Sequence, residues 1–246
     1  MPVDVREPGT ARRDPDKAPA KIAGMFDDIA DRYDLLNTVL SGGLDRYWRR
    51  LAIASLKLTG RERLLDVCAG TADLAIRGAR HGAARVVGVD FSGSMLVHGL
   101  EKVRHGGLEG RVQLVRGDAT ALPAAAGSVD AVTIAFGIRN VQAPQAACDE
   151  LFRVLRSGGR LAILEFGVPH SRPFRLIYHW YFHNVVPRIG RAVSRHGDAY
   201  TYLPESVEAF KFGGEFAKLL NVSGFSQVEA RPLMFGAVYL YTAVRS

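Results

Sequence analysis

From Ile22 onward the chain moves between two rhythms of apolar and polar positions. From Met25 to Leu58 the apolar residues recur at helical spacing. The run is interrupted at Ser41-Gly42-Gly43, which predicts helices on either side of a break. The rhythm then shortens. Arg63–Val67, Arg85–Val89 (ending at Asp90), Val112–Val115, Val129–Ala135 and Arg160–Phe166 read as strands. Between them, helices are expected from about Ala72 to His81, from the capping Ser92 toward Arg104, and from Gln142 to Leu155. Ser157-Gly158-Gly159 should stop the last of these. Strands and helices alternating at this spacing predict an α/β fold with a doubly wound, mostly parallel sheet. Its ligands should sit at the carboxyl edge of the strands. Residues 168–203 read as a helical, aromatic cap, and Glu205 to Ser223 as one further helix. Ser226–Arg231 and Phe235–Val244 read as two strands joined so closely that at least one must be antiparallel. Residues 1–20, with Pro2, Pro8, Pro15 and Pro19, read as a disordered tail. Residues 21–246 then form one domain, with N-terminal helices over 21–60 and the cap over 168–203.

Composition narrows the class. Of 246 residues, 48% are apolar and 9% aromatic, enough for a sizeable core, and 23% are charged. No apolar run reaches the ~18 residues of a membrane-spanning helix. No apolar leader opens the chain, so the cytoplasm is the expected address. Cys68 and Cys148 have no Cys-x-x-Cys partners, which suits a reducing compartment and offers no structural zinc site. The net charge is +7 and the pI about 9.6. Arg172, Arg175, Arg188, Arg191 and Arg195 stand in one aromatic segment against Asp198 alone. No RNA-recognition or helix-turn-helix signature accompanies them, so nucleic acid is not expected. A polyprenyl tunnel or contact with the inner face of a membrane, and an ordinary packed cap with solvated arginines, are all left open.

Four features carry chemistry. Leu65-Asp66-Val67-Cys68-Ala69-Gly70-Thr71-Ala72-Asp73 lies at a strand-to-helix turn, where a ligand can approach backbone N–H groups. Only Gly70 stands where a dinucleotide fingerprint needs several glycines, so a pyrophosphate cradle is poorly supported, and an unliganded tight turn remains open. Asp90 ends the second strand about twenty residues later, as a ribose-binding carboxylate does; a turn aspartate is the alternative. Arg116-Gly117-Asp118-Ala119 suits an adenine amino group, or is a simple Asx-turn. Phe136-Gly137-Ile138-Arg139-Asn140 ends the fourth strand, where a reacting group should be held. Arg139 could instead be a structural ion pair.

In this order the four features resemble the class I S-adenosylmethionine-dependent methyltransferases. The resemblance narrows with Phe26…Tyr33-Asp34…Asn37, Ser41…Trp48-Arg49, Phe136–Asn140, Arg153–Gly159, Leu164–Phe166, Pro187–Gly190 and Tyr200–Ser206. From about Phe26 to the C-terminus the chain is similar to the ubiquinone/menaquinone biosynthesis C-methyltransferases of the UbiE/MenG type. That resemblance implies a Rossmann-like class I methyltransferase fold. It implies S-adenosylmethionine held at Gly70, Thr71, Asp90, Asp118 and Ala119, and methylation of a ring carbon of a polyprenylated quinol. The acceptor must be reduced, because a quinone carbon is electrophilic. Arg139 and Asn140 are the candidate catalytic residues. Arginine stays protonated, so Arg139 would stabilise a phenolate rather than take the proton. Tyr33 and Asn37 would help close the site. The ending Phe235–Tyr241 resembles menaquinone-side members and favours demethylmenaquinol as substrate over the benzoquinol of the ubiquinone pathway.

Ala69 and Ala72 stand where the family is richer in glycine. They are therefore expected at negative φ, or else to weaken cofactor binding. Many members carry Ser where this chain has Ala135. His179 and His183 are spaced to share a metal, but no third ligand is evident and sulfonium methyl transfer needs no Lewis acid, so no metal is expected. Other readings are a methyltransferase with another lipophilic acceptor, a nicotinamide-dependent oxidoreductase and an inactive accessory protein. A homo-oligomer is left open.

Overall fold

Alternation along the strands builds two cores at once. A computed structural model describes residues 18–186, 188 and 198–246, giving only the backbone of 19, 20 and 198–201. In β1 (Arg63–Val67) every residue but Arg63 is buried. Leu64 faces one layer and Leu65 the other, as the two-residue period of a strand requires. The central strand is therefore apolar on both sides, as expected of a sheet covered by helices on both faces.

Seven strands form one sheet, completed by β2 (Arg85–Asp90), β3 (Val112–Arg116), β4 (Val129–Ala135), β5 (Leu155–Phe166), β6 (Phe225–Leu233) and β7 (Val238–Arg245). The order is β3-β2-β1-β4-β5-β7-β6. β1 to β5 run parallel, and β7 lies antiparallel between β5 and β6. The fold is thus the doubly wound, mostly parallel sheet with an antiparallel terminal strand. The chain winds outward from β1 to β3, then crosses back to set β4 on the free side of β1. That reversal makes the carboxyl ends of β1 and β4 the place for a ligand.

α3 (Leu44–Ser55), α4 (Asp73–Arg80) and the C-terminal part of α5 (Gly93–His105) cover one face, through Trp48, Ile53, Leu74 and Val103. α6 (Pro144–Val154) and α9 (Gly214–Val222) cover the other, through Leu151, Phe216 and Leu220. A third cluster lies above the carboxyl edge. There α1 (Pro19–Ile29), a short 3-10 turn (Ala30–Arg32) and α2 (Tyr33–Leu40) meet the cap. The cap consists of α7 (Arg172–Trp180), running into a π-helical turn (Tyr181–Val185), and α8 (Asp198–Ala209).

Several boundaries differ from the sequence expectation. The helix expected over 205–223 is two helices. They divide at Gly213, whose backbone is at φ 62° and whose N–H donates to the Tyr241 hydroxyl at 2.6 Å. β5 begins at Leu155 rather than Arg160, because Leu155 already pairs with Val129 and the Ser157–Gly159 segment is absorbed as a bulge. A 3-10 turn at Met234–Gly236 delays β7 to Val238. The expected tail up to residue 17, the Pro187–Gly190 motif apart from Arg188, and Arg191 and Arg195 lie outside the described residues.

Candidate active site: two cavities with a common wall

The carboxyl ends of β1 and β4 are pressed together. A Cβ on Gly137 would stand 2.3 Å from the Cβ of Cys68, so only glycine fits where β4 leaves the sheet. Beside this contact Cys68 (φ 55°) and Phe136 (φ 61°) both adopt left-handed backbone. Such strain persists only where surrounding structure fixes it, and it gathers at functional sites. Burial, reinforced by nearby carboxylates, pushes the Cys68 thiol well above its ordinary range, so it is no thiolate nucleophile.

The first cavity, about 970 Å³, opens over the strand ends and is lined by Gly70, Asp90, Asp118, Ala119, Ala135 and Asn140, among others. Asp90 accepts from the Gly70 N–H at 2.8 Å through Oδ2 and from the Ser92 N–H at 2.9 Å through Oδ1. Burial raises its pKa, and these donors oppose that. A carboxylate has about four acceptor positions, so roughly two remain for a diol. Asp118 Oδ1 accepts from the Thr120 N–H and hydroxyl, both at 2.8 Å. The Asx-turn and the ligand-facing position therefore coexist.

Thr71 does not line this cavity. Its hydroxyl donates to Asp34 Oδ1 at 2.5 Å and accepts from Lys102 Nζ at 3.2 Å. Lys102 also pairs with Asp34 Oδ2 at 2.5 Å and with Asp73. This cluster ties α2 to the strand-one loop. The loop itself corrects an expectation: Ala72 sits at φ 65°, although Ala69 avoids positive φ. Ala72 is fully buried and is absent from the cavity lining, so its strain falls on the fold rather than on cofactor contacts. Its methyl packs toward Gly99, where an added Cβ would come within 3.3 Å. That burial, about 0.8 kcal/mol per methylene-sized group, offsets part of the roughly 1–2 kcal/mol of left-handed strain.

The second cavity, about 1230 Å³, lies under the N-terminal helices and the cap. Its walls are mainly apolar and aromatic, including Met25, Leu36, Trp48, Phe166, Tyr181 and Phe182. Phe26, Tyr33 and Phe136 line both cavities, forming the wall between them. Burial raises the Tyr33 hydroxyl, so it stays protonated. Periodicity marked the helices carrying Ile22 and Phe26 but gave no sign that they roof the first cavity.

Arg139 and Asn140 divide between the two spaces. Asn140 lines the first and accepts from the Tyr202 hydroxyl at 3.2 Å. Arg139 lines the second. Its Nη1 donates to Glu165 Oε1 at 2.8 Å and to the Phe136 carbonyl, and its Nε to Ser206 Oγ at 3.4 Å. The guanidinium stands over the Phe166 ring, 5.2 Å from its centre. Nη2 has no hydrogen-bond partner among the described residues. The sequence left a structural ion pair open for Arg139; the structure shows that pair, formed by a side chain that also lines the second cavity.

The cap supplies the third partner that the sequence did not reveal for His179 and His183. Glu208 Oε1 lies 3.3 Å from His179 Nδ1 and 3.2 Å from His183 Nε2. Both imidazoles thus have a carboxylate partner, and the trio joins the α7 end of the cap to α8.

Comparison with known proteins fits this geometry. A model of the ubiE/COQ5 methyltransferase family matches residues 15–245. The ubiquinone/menaquinone biosynthesis C-methyltransferase UbiE of Syntrophotalea carbinolica is 47% identical over 223 residues, covering 90% of this chain and 93% of that protein. The demethylmenaquinone methyltransferase of Mycobacterium sp. (strain KMS) is 45% identical over 230 residues, covering 94% and 96%. A solved structure of a putative S-adenosyl-L-methionine-dependent methyltransferase from Methanococcus maripaludis superposes with a TM-score of 0.60 at 17% identity, covering 97% of this chain and 98% of that one. That last likeness is one of fold. The sequence matches run through both cavity walls and almost end to end, and the chain belongs to the ubiE/COQ5 methyltransferase family.

Proposed function

We propose that this methyltransferase uses S-adenosylmethionine to methylate a ring carbon of a polyprenylated quinol, converting demethylmenaquinol to menaquinol. The observation that carries the reading is the pair of cavities meeting at Phe26, Tyr33 and Phe136. One cavity offers Asp90, Asp118 and the Gly70 turn to a nucleoside. The other is a greasy, aromatic space into which two arginines, Arg49 and Arg139, are set.

The residues of the first cavity fit the cofactor. Asp90 keeps acceptor capacity for a ribose diol, and Asp118 Oδ2 has no partner among the described residues, so it is open to an amino group. When bound, the cofactor supplies a methyl group already activated on a sulfonium. The protein's task is then orientation and charge. The Phe26–Tyr33–Phe136 wall brings the acceptor ring beside the first cavity. Arg139 Nη2 would donate to the phenolic oxygen as its proton passes to water, stabilising the charge that makes the ring carbon nucleophilic. The ring carbon would exchange its proton, also released to water, for the methyl group, so the ring ends aromatic.

The acceptor's long tail needs an exit. Met234 lines the second cavity and is 48% exposed. Beside it Phe235 is exposed and stacks on the exposed Phe174 of α7 at 3.9 Å, and Leu176, Ile177 and Trp180 of the same helix are also exposed. Arg172 and Arg175 on the same helix are exposed too. No helix among the described residues is long and apolar enough to cross a membrane. This surface instead rests on an anionic bilayer, apolar side chains inserted and arginines at the headgroups. Flotation with anionic liposomes should recover the protein at low salt and less at high salt. Absence from the floating fraction in both conditions would end the membrane reading.

The test of function is a paired reaction. Purified protein with S-adenosylmethionine receives reduced demethylmenaquinol or the reduced, demethylated benzoquinol, with the oxidised quinones as controls. Mass spectrometry should show one added methyl on the naphthoquinol and none on the quinones. Methylation of the benzoquinol alone would move the enzyme to the ubiquinone branch. Cofactor binding without methylation of either would refute the quinol reading.

A further inference from the structure

Polar atoms buried without a partner are rare in folded proteins, because each forfeits its hydration and gains nothing in return. Five such side-chain atoms occur among the described residues: Asn37 Nδ2, Arg49 Nε, Asp66 Oδ2, Arg77 Nε and Tyr178 Oη. Asn37, Arg49 and Tyr178 all line the second cavity. They arrive on three separate elements, α2, α3 and α7, which no local motif brings together.

None of the three atoms has a well-formed hydrogen bond to a protein group among the described residues. Arg49 Nε stands 3.9 Å from Asp45 Oδ2, beyond a hydrogen bond, while its guanidinium lies over the Phe136 ring at 5.5 Å. The Asn37 side chain has a weak hydrogen bond with the Tyr33 hydroxyl, which opposes the effect of burial on that group, but its geometry leaves Nδ2 without a well-formed partner. Burial keeps the Tyr178 hydroxyl neutral, able both to donate and to accept. In a cavity otherwise walled by Leu36, Leu40, Trp48 and Phe182, this is a polar set without a protein counterpart.

A hydroquinone carries two hydroxyls on opposite sides of its ring. Burying it with one of them unpaired would repeat the same penalty on the ligand. Arg139 serves one oxygen. We propose that Asn37, Arg49 and Tyr178 form a second-oxygen subsite that receives the other hydroxyl. Held at both oxygens, the ring would be unable to rotate in its own plane. The subsite discriminates a para-diol from a mono-phenol of the same shape, since a site built to pair a hydroxyl rejects the analogue lacking it. This inference rests on the quinol reading above.

Tyr178→Phe removes one oxygen and no packing, and it separates a substrate role from a structural one. If the hydroxyl waits for substrate, the free variant melts at or above the wild-type temperature. With demethylmenaquinol its KM should rise roughly tenfold, the worth of one hydrogen bond. With a prenylated 1-naphthol that lacks the remote hydroxyl, variant and wild type should perform alike. Arg49→Lys, which keeps the charge but deletes Nε, should show the same dependence on the second hydroxyl. Three results would overturn the subsite: unchanged KM on the diol in both variants, equal losses on diol and mono-phenol, or a lowered melting temperature with no KM change. A wild type that binds S-adenosylmethionine but methylates no quinol would instead overturn the functional reading, and the subsite with it.

Discussion

Arg139 carries two loads that its substitutions can separate. Its Nη1 neutralises Glu165, whose carboxylate is wholly buried, while Nη2 is left for a ligand. Arg139→Ala strands that carboxylate, a loss of about 3–5 kcal/mol for a broken buried pair, so it should lower the melting temperature as well as turnover. Arg139→Lys keeps a charge for Glu165 but lacks the second donor of the fork. It should fold, bind S-adenosylhomocysteine within about twofold of wild type by calorimetry, and lose roughly 100-fold or more in kcat. A wild-type kcat in that variant would remove Arg139 from the chemistry. The motif identified this residue in the sequence, as it did Asp90 and Asp118, because strand-end positions follow from the strand pattern. The partners were not legible. Glu165, Ser206 and Phe166 are distant in sequence and meet Arg139 only because β4, β5 and α8 converge. The φ of Ala72 was equally hidden: sequence gives an alanine's cost in left-handed backbone, but not the packing against Gly99 that compensates it.

At the scale of elements, the N-terminal helices are fastened by charge as much as by packing. Lys102 of α5 joins Asp34 of α2 to Asp73 of α4, and Thr71 completes the cluster. Asp27 of α1 accepts from the Ser92 hydroxyl at 2.5 Å. Lys102→Met would remove the ammonium that bridges Asp34 and Asp73, leaving only the more distant charges of Arg49 and Arg77 near Asp73. Limited proteolysis should then cut before residue 41 sooner than in wild type, and S-adenosylhomocysteine affinity should fall several-fold, because α1 and α2 wall the first cavity. Unaltered cleavage and affinity would show that packing alone holds these helices. Most elements were legible from apolar rhythm, since both faces of β1, β4 and β5 must be buried. The misses share a cause. Gly213 breaks the expected long helix because its N–H has the Tyr241 hydroxyl as a partner, and Ser157–Gly159 joins β5 because Val129 is there to pair with Leu155. In both places a partner distant in sequence, absent from any local window, settled the structure.

For the molecule as a whole, two buried carboxyls set opposite ends of its pH range. Burial raises Asp66 from 3.8 to about 7, with Thr133 opposing. Being protonated more readily when folded, Asp66 contributes stability that is full below about pH 3.8, declines as pH rises, and is gone above about 7. Glu62 is the reverse. Burial works against its charge, but donors from Thr59, Gly60 and Arg61 prevail and hold it at about 2, so its contribution is lost as pH falls from 4.5 toward 2. Urea unfolding at pH 5 and 8 should show wild type losing stability toward pH 8, by at most roughly 1.4 kcal/mol per unit, and Asp66→Asn losing less. Equal slopes in the two proteins would place the titrating group elsewhere. The wall of Phe26, Tyr33 and Phe136 has a thermodynamic consequence for the enzyme's traffic. A ligand in either chamber that orders this partition has already met part of the conformational cost of filling the other. Donor and acceptor therefore raise each other's affinity by one common factor. The spent donor still fills its chamber, so that reinforcement ends only when it leaves, and the departure of either product loosens the hold on the other.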